Sequence, residues 1–177
     1  MNRLTVMLLM LAATLYPAVL QAHGPSRQKV EREVHIAAPA GKVWGMIADF
    51  CSIAAWNPEV TDCQAEPGNK PGTIRTLTLK SGEKMKEELR KYQPESMQMR
   101  FLLVEPNEKA MPINTLGVLF GVSPADDGGC IVTWKAGFYR SFPGPTPPPE
   151  LSDEAAVRAV SEFVDSGLAS LKAMAEK

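Results

Sequence analysis

The stretch from Ser152 to Ala175 constrains the fold most, because it has the pattern of one long helix with a single buried face. Charged residues recur every three or four positions, and an apolar stripe fills the opposite side: Val157, Val160, Phe163, Val164, Leu168, Leu171 and Met174. Ser152 can cap the first free amides of this helix. A lone helix with an apolar stripe needs a surface to lie on, and the rest of the chain offers a sheet.

Residues 1–22 have the pattern of a cleaved export signal. Arg3 gives a positive start, the apolar run 4–20 is broken by Pro17, and Ala22 is a small residue suited to cleavage. A membrane anchor is the alternative, but the run has only 17 residues and no basic cluster follows it. We therefore expect an exported protein whose mature part, residues 23–177, is one domain.

Charge and cysteine content narrow the class of protein further. A formal net charge of -1 favours neither a nucleic-acid partner nor a membrane-surface partner. An oxidising compartment permits a disulfide among Cys51, Cys63 and Cys130, and the first two bracket a short helical segment. We expect that pair, with three separate buried thiols as the alternative. The spacing of the cysteines matches no zinc motif.

Apolar alternation predicts seven strands, with two short helices after the first strand. The strands are expected at 30–36, 60–66, 73–80, 84–92, 97–103, 113–122 and 130–139, and the helices end near Phe50 and Trp56. Five prolines within 143–149 make a stiff bridge into the long helix. A run of strands beside segregated helices indicates an α+β fold with an antiparallel sheet.

The hairpin around Ser81-Gly82-Glu83 decides which side chains share the inward face of the sheet. A three-residue loop sets Leu79 opposite Met85 and places Arg75 diagonal to Glu87. A two-residue loop would put threonines on that face instead. We predict the first register because it buries more apolar surface.

A series of short motifs lies in order between residues 30 and 175: Ala38-Pro39, Val43-Trp44, Asp49-Phe50, Trp56-Asn57-Pro58, Gly72-Thr73-Ile74-Arg75, Gly82, Glu87, Pro112, Val132-Thr133-Trp134 and Phe138. In this order and spacing they resemble the SRPBCC or START-like superfamily, which includes polyketide cyclases/dehydrases. The resemblance implies a helix-grip fold, a curved antiparallel sheet of about seven strands wrapped around the C-terminal helix. It also implies an apolar cavity between the sheet and the helix.

Two further stretches, Ala22-His23-Gly24-Pro25 and residues 147–156, are similar to the MxaD family of small periplasmic proteins. That family belongs to the bacterial methanol-oxidation system. The resemblance implies a periplasmic location. It also implies association with methanol dehydrogenase, a quinoprotein, or with the cytochrome that accepts its electrons.

Ten residues are expected to line the implied cavity: Arg75, Leu77, Met85, Glu87, Met99, Trp134, Phe138, Phe163, Gly167 and Leu171. Arg75 and Glu87 could orient a polar ligand group, and Glu87 could act as a base. The alternative is a structural ion pair between neighbouring strands. Gly167 makes the helix less stable than alanine would by about 1 kcal/mol. We therefore expect a ligand or an inward aromatic side chain to need the room, with Trp134 and Phe138 as the first candidates.

The remaining residues of chemical interest point to no metal or cofactor. Trp44, Trp56 and Met97 suit a core or a cavity wall equally well. Cleavage after Ala22 would leave His23 beside a free amine, but its partner in a copper site would have to be the outward-facing His35. No nucleophile with a positioned base and no phosphate-binding loop is evident.

Three functions fit these patterns. The first is a periplasmic, non-catalytic accessory protein that supports methanol oxidation by holding a small apolar molecule or by binding methanol dehydrogenase or its cytochrome. The second is an enzyme of the cyclase/dehydrase kind, in which Glu87 and Arg75 supply acid–base help. The third is a carrier of a lipid or quinone. The lack of an inward His or Tyr beside the two charges favours a binding role over catalysis.

Overall fold

The C-terminal helix lies on a seven-stranded antiparallel sheet, in a computed structural model that describes residues 24–177. In chain order the elements are β1 (Gln28–Ile36), α1 (Ala40–Ile47), α2 (Ile53–Trp56), β2 (Val60–Ala65), β3 (Ile74–Leu79), β4 (Lys84–Gln93), β5 (Gln98–Glu105), β6 (Ile113–Pro124), β7 (Cys130–Arg140) and α3 (Asp153–Ala175). Short 3₁₀ turns, Pro94–Ser96 and Pro149–Leu151, precede β5 and α3. The predicted export signal, its cleavage point and His23 lie outside the described residues.

The strand order is β1-β7-β6-β5-β4-β3-β2, so the first strand closes onto the last. β1 pairs with β7 without a break, from Gln28 opposite Phe138 to Ile36 opposite Cys130. From β7 back to β2, each strand pairs with its neighbour in sequence, as consecutive hairpins do. This topology, with helices gathered on one face, confirms the predicted α+β helix-grip fold.

The hairpin between β3 and β4 turns one residue earlier than predicted. Arg75 lies directly opposite Glu87 and Leu77 opposite Met85, and the Leu79 amide donates to the Glu83 carbonyl at 2.8 Å, so residues 80–82 turn the chain. The predicted pairing of Leu79 with Met85 and the diagonal placement of Arg75 and Glu87 are therefore wrong. The error amounts to two positions, and side chains alternate with a period of two. All the inward residues consequently remained on the predicted face.

A cap begins α3, and polar contacts further along the helix hold it against β1. The Ser152 hydroxyl accepts a hydrogen bond from the Ala155 amide at 3.1 Å, as the capping prediction required. Arg32 on β1 donates two hydrogen bonds to Asp165, at 2.7 and 3.1 Å. Near the C-terminus Lys172 donates to the His35 carbonyl at 2.8 Å. The apolar face, which includes Val160, Val164, Leu168 and Leu171, is buried beneath these contacts.

Covalent and polar links fix the segment that contains α1 and α2. Cys51 and Cys63 are joined by a disulfide with their Cα atoms 5.5 Å apart, which ties this segment to β2. The Asn69 side chain accepts from the Phe50 amide at 2.8 Å and donates to the Ala48 carbonyl at 2.9 Å. The third cysteine, Cys130, is a buried free thiol, and burial raises the pKa of that thiol.

Candidate functional site

The centre of the fold between sheet and helices contains a buried ion pair. Arg75 and Glu87 are each 3% exposed. The guanidinium Nε and Nη2 of Arg75 lie 2.8 and 2.6 Å from the same carboxylate oxygen of Glu87. Their position directly opposite each other on β3 and β4 makes this short contact possible. A charge removed from water in this way requires a close partner, and each of the two supplies it for the other.

The other faces of the Arg75 guanidinium are also occupied. Its Nη1 donates to the carbonyl of Phe50, at the end of the α1 segment. The Phe50 and Phe101 rings lie 4.1 and 4.6 Å from the guanidinium carbon, within range of cation–π attraction. Arg75 thus joins β3, β4, β5 and the helical segment, and the pair has the contacts of a structural cross-link.

Aromatic side chains fill the space beside the ion pair. Trp134 on β7 is at the middle, with its ring centroid 4.8 Å from Phe120, 5.9 Å from Phe101, 6.3 Å from Phe163 and 6.4 Å from Trp56. Most of these pairs are tilted or edge-to-face, which is the favourable geometry for aromatic rings. The cluster links the sheet to α2 and α3 and occupies the volume that a ligand cavity would need.

The space left between these side chains is a void of about 10 Å³. It is lined by Ile47, Asp49, Ser52, Ile53, Trp56, Arg75, Met99, Phe101, Phe120 and Trp134. One water needs about 10–15 Å³ measured in this way, whereas ligand pockets enclose roughly 300–1,000 Å³. The void therefore has room for about one water molecule, and a ligand role for its lining stays a prediction.

Three buried polar atoms that have no protein partner among residues 24–177 belong to residues lining this void. They are the Ser52 hydroxyl oxygen and the indole nitrogens of Trp56 and Trp134. An indole N–H can only donate a hydrogen bond, and a serine hydroxyl can do so as well. The size of the void and the presence of donors on its lining residues fit one water molecule, whose oxygen can accept such a hydrogen bond.

The predicted cavity residues divide into two groups. Arg75, Met99 and Trp134 line the void. The other seven are part of the surrounding packing or of the ion pair: Leu77, Met85, Glu87, Phe138, Phe163, Gly167 and Leu171. Sequence reasoning missed Phe101 and Phe120 as lining residues, although their alternation with inward neighbours on β5 and β6 was a usable signal.

Gly167 faces the interior, but its neighbours are not the ones expected. A Cβ at this position would lie 2.6 Å from the Asn57 amide nitrogen and 3.1 Å from Trp56 Cζ3. An inward aromatic does lie against Gly167, as expected, but it is Trp56 rather than Trp134 or Phe138, and the Asn57 side chain lies closer still. Asn57 is buried, accepts from the Glu59 amide at 3.0 Å, and donates to the Phe163 carbonyl at 3.3 Å. The glycine allows α2 and the following turn to approach α3 closely.

A shallow groove opens at the surface where the β3–β4 hairpin, the loop before β6 and α3 meet. It encloses about 190 Å³ and is lined by Glu59, Leu79, Lys80, Ser81, Ala110, Met111, Ala159, Glu162 and Phe163. Phe163 contributes both to this groove and to the contact with Trp134. Its ring thus separates the groove from the aromatic cluster.

Residues 27–176 match the family described as polyketide cyclase / dehydrase and lipid transport. The chain belongs to this family. No functionally curated protein matches the sequence. Within the part of the chain that the structure describes, no helix is long and apolar enough to cross a membrane. In that same part, no group of three or more His, Cys, Asp or Glu residues is arranged to hold a metal ion.

Solved structures share the family fold. XoxI from Bacillus cereus superposes with a TM-score of 0.68 at 18% identity, over 85% of this chain and 95% of its own. A protein from Thermobifida fusca, solved by NMR, superposes with a TM-score of 0.64 at 27% identity, over 81% of this chain and 90% of its own. Norcoclaurine synthase from Thalictrum flavum, in complex with dopamine and hydroxybenzaldehyde, superposes with a TM-score of 0.63 at 13% identity, over 85% of this chain and 87% of its own. At the identities of XoxI and the synthase, the likeness concerns the fold alone.

Proposed function

We propose that this family member is a periplasmic, non-catalytic binding protein that assists methanol dehydrogenase in bacterial methanol oxidation. The tightly packed interior is the observation that supports a non-catalytic role. An enzyme that folds a substrate needs a chamber of several hundred Å³, and the void here has about 10 Å³. It also needs an acid or base free to exchange a proton. Glu87 is instead held by two nitrogens of Arg75.

The periplasmic part of the proposal is supported by two observations. Residues 1–22 have the composition of an export signal. The disulfide between Cys51 and Cys63 is typical of proteins that fold in an oxidising compartment. The link to methanol oxidation depends on the MxaD-like stretches at residues 22–25 and 147–156.

Affinity capture with the full mature chain tests this function. The tagged protein is incubated with periplasmic extract from its own cells grown on methanol, and dye-linked methanol dehydrogenase activity is measured in the eluate. We expect the activity to elute with the protein, and native mass spectrometry of the bait to give the mass of the chain alone. If neither the dehydrogenase nor its cytochrome is retained, the proposal fails.

The groove beside Phe163 favours a second candidate, a binding site for a small apolar molecule. Leu79, Met111 and Phe163 give it apolar walls, and its volume of about 190 Å³ admits a molecule smaller than a typical drug. A bound mass in the native spectrum that disappears in an Ala159→Arg variant would support this candidate, because that substitution fills the groove from α3.

A further inference from the structure

The face of the sheet opposite α3 contains a trough with a glycine floor. Gly117 on β6 lies directly opposite Gly137 on β7, and Leu102 on β5 lies opposite Gly117. Since the glycines have no side chains, the surface falls to the backbone across two adjacent strands. The trough encloses about 490 Å³, and Leu102, which is 41% exposed, forms part of one wall.

Cationic side chains surround this floor. Five exposed cations line the trough, against a single carboxylate, Glu31: Arg27, Lys29, Arg90, Arg100 and Lys135. Five cations less one carboxylate give a local charge of +4. Residues 24–177 as a whole contain 18 Lys and Arg, after Arg3 is removed from 19, and 20 Asp and Glu, which gives -2. Positive charge is therefore concentrated on this face of a chain that is slightly acidic.

Most of these cations have no ionic partner within the described chain. Arg90 pairs with Glu88 at 2.9 Å. The other four have no carboxylate within 4 Å among residues 24–177. The Arg27 guanidinium extends over Gly137, where a Cβ would lie 2.7 Å from its Nη2. The trough thus offers several unneutralised charges around a glycine floor, part of which the long Arg27 side chain covers.

We propose that this trough is the docking surface for an acidic, extended segment of a partner protein. The cations are spread from β1 to β4, across four strand spacings of about 4.8 Å each, or about 19 Å. An extended segment of about six residues has that length. Because a single exposed ion pair contributes little to binding, the surface favours an occupant with several carboxylates over a single small anion. Leu102 and Leu119 add apolar contact between the charges.

This inference deepens the proposed function by naming the surface that meets the partner. It is tested first with a fluorescein-labelled ten-residue peptide of alternating Glu and Leu, followed by fluorescence anisotropy, with a Lys/Leu peptide for comparison. The variant Lys29→Gln with Lys135→Gln removes two trough charges. Lys70→Gln with Lys109→Gln removes the same charge from exposed loop positions away from the trough.

We expect the acidic peptide to bind the native chain, to bind less well as salt rises, and to bind the trough variant about threefold to thirtyfold more weakly. The loop variant should bind like the native chain. The proposal is overturned if the two variants bind the peptide equally. It is also overturned if only vesicles of anionic lipid, and not the peptide, distinguish them.

The capture experiment separates this inference from the proposed function. If the trough variant retains methanol dehydrogenase as well as the native chain does, the docking surface is wrong and the function stands. If the native chain binds the acidic peptide in the trough but captures no dehydrogenase or cytochrome, the function is wrong and the docking surface stands.

Discussion

Replacing Glu87 with glutamine removes one charge from the buried pair and leaves the other in place. Glutamine has nearly the same shape and can still accept a hydrogen bond from Arg75, so the main loss is electrostatic. Breaking a buried pair by removing one partner typically destabilises a protein by about 3–5 kcal/mol. The Phe50 carbonyl and the two aromatic rings remain around the guanidinium and offset part of this loss. We therefore expect Glu87→Gln to lower the free energy of unfolding by about 3 kcal/mol.

Urea denaturation at neutral pH, followed by tryptophan fluorescence, measures this change. In a thermal melt it should correspond to a fall in Tm of roughly 6–12 °C, at about 2–4 °C per kcal/mol for a domain of this size. Glu88→Gln is the matched control, because Glu88 is on the same strand but pairs with the exposed Arg90. Its loss should stay below about 1 kcal/mol.

A second variant separates the charge effect from the packing effect. Arg75→Met combined with Glu87→Leu replaces both charges with apolar groups, and such replacements of buried pairs are often neutral. It should be more stable than Glu87→Gln alone. A loss in Glu87→Gln as small as in Glu88→Gln would refute the structural role of the pair. The structural role would also be refuted if the Glu87→Gln protein stays fully folded but no longer captures the dehydrogenase.

Three further changes test other parts of the fold. Gly167→Ala should destabilise the protein by about 1–2 kcal/mol, because displacing Asn57 outweighs the gain in helix propensity. Cys51→Ser with Cys63→Ser should lower stability by about 3 kcal/mol, and reductant should have the same effect on the native chain. Hydrogen bonds from the Gly129 amide and from His35 lower the pKa of Asp127. The stability lost in Asp127→Asn should therefore be present above about pH 4 and should vanish as the pH falls through that lowered value.

Each of these predictions has a control or an outcome that contradicts it. Gly45→Ala on α1 is the control for Gly167→Ala. A Cβ at position 45 would have no atom within 4 Å, so this variant should be more stable than the native chain by up to about 1 kcal/mol. If Gly167→Ala stabilises it equally, the close approach of Asn57 is wrong. A double serine variant as stable as the native chain would refute the role of the disulfide. An Asp127→Asn difference that is unchanged in acid would refute the hydrogen-bonded carboxylate.

The faces of the strands could be predicted from the sequence because they depend on a period of two. Arg75, Leu77, Met85 and Glu87 all point inward as the alternation indicated. The position of the turn that sets Arg75 directly opposite Glu87 was not predictable, since a three-residue loop closes equally well at 80–82, where Leu79 pairs with Glu83, and at 81–83. An error of two positions leaves the faces unchanged but alters the distance between two charges.

The contents of the interior could not be predicted, because a void is the small difference between large volumes. The aromatic residues around Trp134 come from four separate elements, and each one alone is compatible with either a core or a cavity wall. Their combined packing leaves about 10 Å³. The side chain that lies against Gly167 could not be predicted either, since Asn57 and Gly167 are more than a hundred residues apart in the chain.

By itself, the sequence determined the elements, their faces and the long amphipathic helix that needs a sheet. These features follow from local periodicity, which every window of the chain contains. The tertiary structure decided the closed interior, the direct pairing of Arg75 with Glu87 and the cationic trough around Gly117 and Gly137. Those features depend on which strands become neighbours, and β1 meets β7 only after the whole chain has folded.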